Sequence, residues 1–256
     1  MDHGVQFASA PIRHLRTAVD GIDTFYREAG PADAPVVLLP HGYPASSFVY
    51  RNLMAALGHR YRLIAPDLPG FGYSATPSPD EFGYTFDAYA TFLQAFVDAL
   101  NLNRYVIWLH DYGSQFGFRL ALAAPHRVAG LIVQNGDIYE DGFGPKYDFL
   151  KESWENPGPA ARRNNLIRLL EDQPSTLDWF ATEQAYLRDH QPPTLIVWGP
   201  HDGYMPEKSA RAYLRDLPNA PIHLLGGGHW LLETHLDEVV PLVDEFLAGV
   251  NSPNGT

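Results

Sequence analysis

The 256-residue chain contains no cysteine. That absence excludes disulfides and thiolate metal sites and is compatible with a reducing compartment. No apolar run is long enough to span a bilayer. The start of the chain, Met1 to Gln6, lacks the basic region and apolar stretch of a secretory signal. A cytoplasmic protein without membrane contact is therefore expected. Basic residues are few: 18 Lys and Arg stand against 30 Asp and Glu, a formal net charge of −12. Nucleic acids and anionic membranes both need a basic face, so neither is expected as a partner. The charge serves solubility first. The chain has no internal repeat and no low-complexity tract, and nothing in it specifies an oligomeric state.

Hydrophobic residues make up 45% of the chain and charged residues 19%, enough apolar surface for one large core at this length. Strand and helix signals alternate. Ile12 to Val19 and Asp23 to Glu28 alternate polar and apolar residues around Asp20-Gly21, which predicts a hairpin. Short apolar runs at Val36 to Leu39, Tyr61 to Ala65, Tyr105 to Leu109, Leu131 to Gln134 and Thr194 to Trp198 predict buried parallel strands. A further short strand is expected at Pro221 to Leu225. Helical patterns lie between them at Phe48 to Leu57, Phe86 to Leu100, Gln115 to Ala124, Pro206 to Leu217 and Glu233 to Ala248. Such alternation predicts an α/β fold, a mostly parallel twisted sheet with helices on both faces.

One segment breaks the alternation. Residues 137–193 contain no good strand, several glycines and prolines, and two helical stretches, Pro159 to Glu171 and Thr176 to Asp189, the second with Ser175 as its expected cap. The expectation is a core of residues 1–136 and 194–256 carrying a small helical cap at 137–193. Aromatic residues of that cap, among them Tyr139, Tyr147, Trp154, Trp179 and Tyr186, are candidates for lining an apolar pocket, although most such side chains pack an insertion onto its core.

Four short patterns each follow a predicted strand, where ligand and catalytic groups collect in open α/β sheets. His41-Gly42-Tyr43-Pro44 follows the strand at Val36. His110-Asp111-Tyr112-Gly113 forms a strand-to-helix elbow with Asp111 at its apex. Asp202 lies in Trp198-Gly199-Pro200-His201-Asp202-Gly203. His229 lies in Gly226-Gly227-Gly228-His229-Trp230. Backbone amides of Tyr43 and Tyr112 are placed to form an oxyanion hole. An aspartate at an elbow is a poor nucleophile for amides but can displace a leaving group from an alkyl carbon, forming an ester that water must cleave. His229, oriented by a carboxylate, can activate that water. Asp137 is a rival to Asp202 as the orienting acid. Gly70 to Ala75 fits a dinucleotide fingerprint, but Pro77 and Pro79 leave no helix for the pyrophosphate, so no cofactor is expected. The histidines at 223, 229 and 235 match no metal spacing, and no metal is expected. His41 is expected to hold its loop, and the His110 side chain to point away from Asp111.

The chain resembles the branch of the α/β-hydrolase family that holds epoxide hydrolases and haloalkane dehalogenases. The likeness covers Gly21 to Gly136 and Thr194 to Leu247 and includes Ala65-Pro66-Asp67-Leu68-Pro69-Gly70-Phe71-Gly72-Tyr73-Ser74. It implies Asp111 as nucleophile, Asp202 as acid, His229 as base, and Tyr43 and Tyr112 as oxyanion-hole donors. The chain departs from the dehalogenase pattern where tryptophan usually follows the nucleophile and asparagine supplies a second halide donor; here those residues are Tyr112 and Tyr43. Epoxide hydrolases use cap tyrosines to protonate the opening ring, for which Tyr139, Tyr147 and Tyr186 are candidates. The cap is short for the branch. The expected function is hydrolysis of a small apolar epoxide to a diol, with water as co-substrate. Hydrolytic dehalogenation of a haloalkane or haloacid is the alternative, and a non-catalytic small-molecule-binding protein with an idle site is the third.

Overall fold

The computed structural model describes residues 9–155 and 165–252. Ile12–Val19 (β1) and Ile22–Ala29 (β2) form the expected hairpin, and Asp20 and Gly21 turn it with φ of 49° and 83°. Val36–Leu38 (β3), Arg62–Pro66 (β4), Tyr105–His110 (β5), Val128–Gln134 (β6), Thr194–Trp198 (β7) and Ile222–Leu224 (β8) complete an eight-stranded sheet in the order β1-β2-β4-β3-β5-β6-β7-β8. β2 runs antiparallel to both its neighbours, and the remaining pairs are parallel.

Alternate residues of the central strands feed two cores. Leu38, Ile64, Ile107, Leu109, Leu131 and Val133 face one side, and Val37, Leu39, Leu63, Ala65, Val106 and Ile132 face the other. Phe86–Ala99 (α2), Tyr112–Ala123 (α3) and Glu207–Ala212 (α7) contribute to the first core. Arg51–Leu57 (α1), Leu231–Thr234 (α8) and Leu236–Val250 (α9) contribute to the second. Two apolar faces explain why the strands read as unbroken hydrophobic runs rather than as an alternation. The arrangement brings the carboxyl ends of β3, β5, β6, β7 and β8 to one edge of the sheet.

Between β6 and β7 the described residues form helices and loops only: Lys146–Glu155 (α4), Asn165–Asp172 (α5) and Leu177–His190 (α6). The sequence pattern misses α4, whose apolar Tyr147 and Leu150 lie among charged neighbours and show the helical period weakly. The start of the helix expected from Pro159 lies outside the described residues. Ser175 caps nothing; it sits inside a 3₁₀ turn, Gln173–Thr176, that runs directly into α6 without a side-chain cap. Two other helix ends tighten in the same way. A 3₁₀ turn at Ser47–Tyr50 precedes α1, and another at Tyr213–Arg215 follows α7. Among the described residues, no helix is long and apolar enough to cross a membrane.

Helix α6 lies on α3 through a buried polar pair. Glu183 is fully buried, with the Gln115 side chain of α3 as its hydrogen-bonding neighbour, while the Arg119 guanidinium lies over Trp179 at 4.8 Å and Phe86 at 5.6 Å. Burial pushes the Glu183 carboxyl up to about 8 against the opposing charge of Arg119. A carboxyl raised in this way favours the fold below its unfolded value near 4.5, and that contribution is lost as pH rises through about 8. The melting temperature is therefore expected to fall over that interval, and Glu183→Gln is expected to flatten the fall, as followed by thermal denaturation across pH. Parallel curves for the two proteins would contradict this account.

Candidate active site

Asp111 occupies the elbow between β5 and α3 with φ 50° and ψ −136°. A non-glycine residue there costs on the order of 1–3 kcal/mol and persists only when its surroundings fix it. They do so on three sides. The Asp111 amide donates to Asn135 O at 3.1 Å, Ser114 N closes the turn onto Asp111 O at 3.0 Å, and Tyr43 N donates to Asp111 Oδ1 at 2.7 Å. Glycine at 42 is required for the last contact, since a Cβ there would lie 2.1 Å from Asp111 Oδ1.

The loop that carries Tyr43 is pinned from below. His41 is fully buried; its Nδ1 donates to Gly42 O at 2.8 Å and its Nε2 accepts from Leu68 N at 3.1 Å. Burial lowers its pKa, which suits this neutral tautomer. Asp67 accepts from Ser47 N at 2.7 Å and from Tyr73 N at 2.8 Å, with Arg27 at 3.8 Å. His41 thus holds its loop.

His229 brings the rest of the site together. Its Nδ1 lies 2.7 Å from Asp202 Oδ2 and its Nε2 lies 3.3 Å from Asp111 Oδ2. Burial alone would lower the imidazole pKa, but hydrogen bonds and charge from the two carboxylates raise it to about 10. Burial likewise opposes ionisation of Asp111 and Asp202, yet His229 holds both below the usual carboxylate range. Backbone amides add to this, from Tyr112 at Asp111 and from Tyr204 at Asp202, the latter at 2.9 Å. Asp111 is therefore held as an anion.

Three polar neighbours escape the sequence patterns. Asn135, at φ 43°, donates from Nδ2 to Asp202 Oδ2 at 3.1 Å and accepts from Gly199 N at 2.9 Å, so one side chain ties β6 to the acid loop. The only signal for it is the Asn135-Gly136 pair after a strand. His110 is bonded through Nδ1 to Gln134 O at 2.8 Å, and its ring lies 4.6 Å from the His229 ring, tilted by 42°. Its side chain lies among Tyr50, Gln134 and Trp230, outside the spaces that Asp111 lines, and meets His229 from that side. Burial lowers its pKa to about 4, so it adds no charge beside His229. Gln173 accepts a hydrogen bond from the Tyr112 hydroxyl through Oε1, and its Nε2 has no partner among the described residues. No sequence signal marks it.

A cleft of about 540 Å³ opens at the site, lined by Tyr43, Asp111, Tyr112, Tyr147, Leu150, Leu170, Gln173, Met205, His229 and Trp230 among others. Beside it lies an inner void of about 30 Å³, lined by Asp111, Ser114, Gln115, Asp137, Tyr147 and Gln173 among others. Of the cap tyrosines considered above, Tyr147 lines both spaces. Tyr139 does not reach them, because its hydroxyl donates to Asp216 at 2.6 Å in a separate buried pair. Tyr186 does not either; it packs on His190 at 4.9 Å. Trp179 lies over Arg119 instead of the cleft. The Trp154 side chain lies outside the described residues. Asp137 does not contact His229; Asp202 holds that place. Among the described residues, no group of three or more His, Asp or Glu side chains is placed to hold a metal ion.

Comparison with known proteins places this geometry in a family. A family profile described as alpha/beta hydrolase fold matches residues 35–156 and 144–236. An uncharacterized hydrolase of Saccharomyces cerevisiae is 32% identical over 92% of this chain and 96% of its own length. A haloalkane dehalogenase of Mesorhizobium japonicum is 28% identical over 97% of this chain and 95% of its own. The crystal structure of haloalkane dehalogenase DbeA from Bradyrhizobium elkani shares the fold, with a TM-score of 0.80 at 24% identity, over 94% of this chain and 99% of that one. The chain belongs to the alpha/beta hydrolase fold family, in the branch that carries aspartate at the elbow and has dehalogenase-like relatives.

Proposed function

We propose that this chain hydrolyses a bond at a saturated carbon in two steps, through an alkyl ester on Asp111, and that its substrate is a small epoxide opened to a diol. The observation that carries the mechanism is the ionised Asp111 carboxylate, with a backbone amide 2.7 Å from one oxygen and the base 3.3 Å from the other. In the first step an Asp111 oxygen attacks the ring carbon and the carbon–oxygen bond breaks. In the second, His229 takes a proton from water, the hydroxide adds to the ester carbonyl, and the amides of Tyr43 and Tyr112 receive the developing oxyanion. Asp202 orients His229 and stabilises its cation. Residues 137–193 act as the cap, and Tyr147 is the cap residue that donates a hydrogen bond to the ring oxygen. Tyr147 supports the epoxide because an opening ring develops a basic alkoxide, whereas a halide needs no acid.

Hydrolytic dehalogenation is the second reading, supported by the dehalogenase relatives. Against it, the indole and carboxamide expected beside a halide are replaced by Tyr112 and Tyr43, and the Tyr112 hydroxyl is already engaged by Gln173. A purely ligand-binding role leaves the preassembled Asp111, His229 and Asp202 contacts without a purpose.

Esterification of Asp111 removes one of the two negative charges that raise His229. Its pKa must then fall from about 10, releasing the neutral base when water is needed. The hydrolysis step, measured by rapid quench, is expected to speed up as pH rises through a value below 10. A pH-independent step would contradict this role.

Asp111→Ala is expected to abolish turnover in a folded protein. His229→Gln should accumulate a covalent adduct on the Asp111 peptide, detected as the mass of the intact substrate for an epoxide. A variant lacking Asp111 that keeps substantial activity would overturn the mechanism. Tyr147→Phe is expected to slow adduct formation from an aromatic epoxide by about 10²-fold, the scale of a positioned donor. Bromide release from bromoalkanes, with no diol from any epoxide, would instead establish the second reading.

A further inference from the structure

Asp137 has no task in the chemistry described so far, and its surroundings are unusual for a carboxyl. It is only 5% exposed, and among the described residues no side chain hydrogen-bonds to its carboxyl; the backbone of Tyr139 is its one polar neighbour on the same segment. Its backbone oxygen accepts from Gln115 Nε2 at 2.7 Å, which fixes the start of the segment that carries it. The carboxyl lines the 30 Å³ void that Asp111, Tyr147 and Gln173 also line. That space admits one group about the size of a water molecule. A buried carboxyl that no side chain partners is costly, so the site calls for a small polar occupant.

We propose that the inner void is the subsite for the leaving oxygen of the substrate, and that the Asp137 carboxyl is the acid that protonates it as the ring opens. This inference rests on the epoxide reading above. Asp111 forms the new carbon–oxygen bond, and the electron pair of the broken bond passes to the ring oxygen. That oxygen takes the proton of Asp137, leaving a carboxylate. When the ester is cleaved, Asp111 returns as a carboxylate and His229 holds the proton drawn from water. His229 thereby regains its resting charge, the proton it shed when Asp111 was esterified reloads Asp137 through solvent, and the sum is epoxide plus water to diol.

Two features favour Asp137 over Tyr147 as the proton source. Burial holds the Asp137 carboxyl well above the usual carboxylate range, so it enters the reaction protonated. The Tyr147 phenol is also pushed well up, first by burial and then by the charges of Asp111 and Asp202 among its neighbours, and so gives up a proton reluctantly. Tyr147 can still donate a hydrogen bond from the cap side, and Gln173 Nε2, oriented by the Tyr112 hydroxyl, supplies another N–H along the same wall. The void then offers several donors to one oxygen.

The test separates the two half-reactions. Adduct formation from an aromatic epoxide is measured in the His229→Gln protein, and ester cleavage by single turnover with His229 intact, each with Asp137, Asp137→Asn and Asp137→Leu. Asparagine keeps the shape and an N–H but cannot release a proton, so adduct formation should slow at least 10-fold; leucine should slow it about 10²-fold. Ester cleavage should be unchanged, because the leaving oxygen is then already protonated. Unchanged adduct formation in the asparagine protein overturns the inference, and so does equal slowing of both steps, which marks a structural role. Absence of any adduct when Asp137 is present overturns the epoxide reading itself, and the inference with it.

Discussion

One hydrogen bond, from the Tyr43 amide to Asp111 Oδ1 at 2.7 Å, joins the two loops on which the site depends. It crosses from the end of β3 to the end of β5, adjacent strands of the sheet. Asp111 needs it because a positive φ on a side chain with a Cβ stores strain that only a rigid frame can hold. β5 supplies that frame, being buried along its whole length between β3 and β6. The buried His41 and the Asp67 hub hold the other loop. A carboxylate kept in this position by backbone donors loses the freedom to turn away from a bound substrate, and much of the reaction's entropy cost is met before binding.

The electrostatics follow from the same arrangement. Two carboxylates flank one imidazole in a largely buried setting, so all three are charged at rest: both acids are held down and His229 is held up. In the proposed reaction such a group is an ion pair at the start, and His229 becomes a base only once Asp111 has been neutralised by the alkyl group. The proposed order of steps therefore needs no moving part. His110 packs against His229 but stays neutral through burial, so it gives the imidazole a wall without competing charge.

Much of this is legible in the sequence. The short apolar runs mark buried parallel strands because both faces of the sheet are covered. Asp111, Asp202 and His229 are recognisable because each follows such a run, in the order of the family, and the structure places the His229 ring between the two carboxylates, 2.7 Å from Asp202 and 3.3 Å from Asp111. Less legible are features that arise only when distant segments meet. Gln173 reaches the site because a 3₁₀ turn brings it under Tyr112, 61 residues earlier in the chain. The assignment of Tyr139 and Tyr186 to the pocket fails for the same reason: the Tyr139 hydroxyl is taken by Asp216 of the core, and Tyr186 packs on His190 of its own helix. An aromatic residue in a cap shows no periodicity that tells packing from substrate contact. Asp137 shows the limit most clearly, since its spacing suits an orienting acid while its burial beside the inner void is a property of the folded chain alone.

The covalent ester on Asp111 is the claim from which the rest follows, and oxygen labelling tests it most directly. A single turnover with enzyme in excess is run in water enriched in oxygen-18. The account predicts a diol in which neither oxygen is labelled, one coming from the ring and the other from Asp111, together with label in the peptide that contains Asp111. Label in the diol from the first turnover, with an unlabelled peptide, would show that water attacks the substrate directly and would contradict the account.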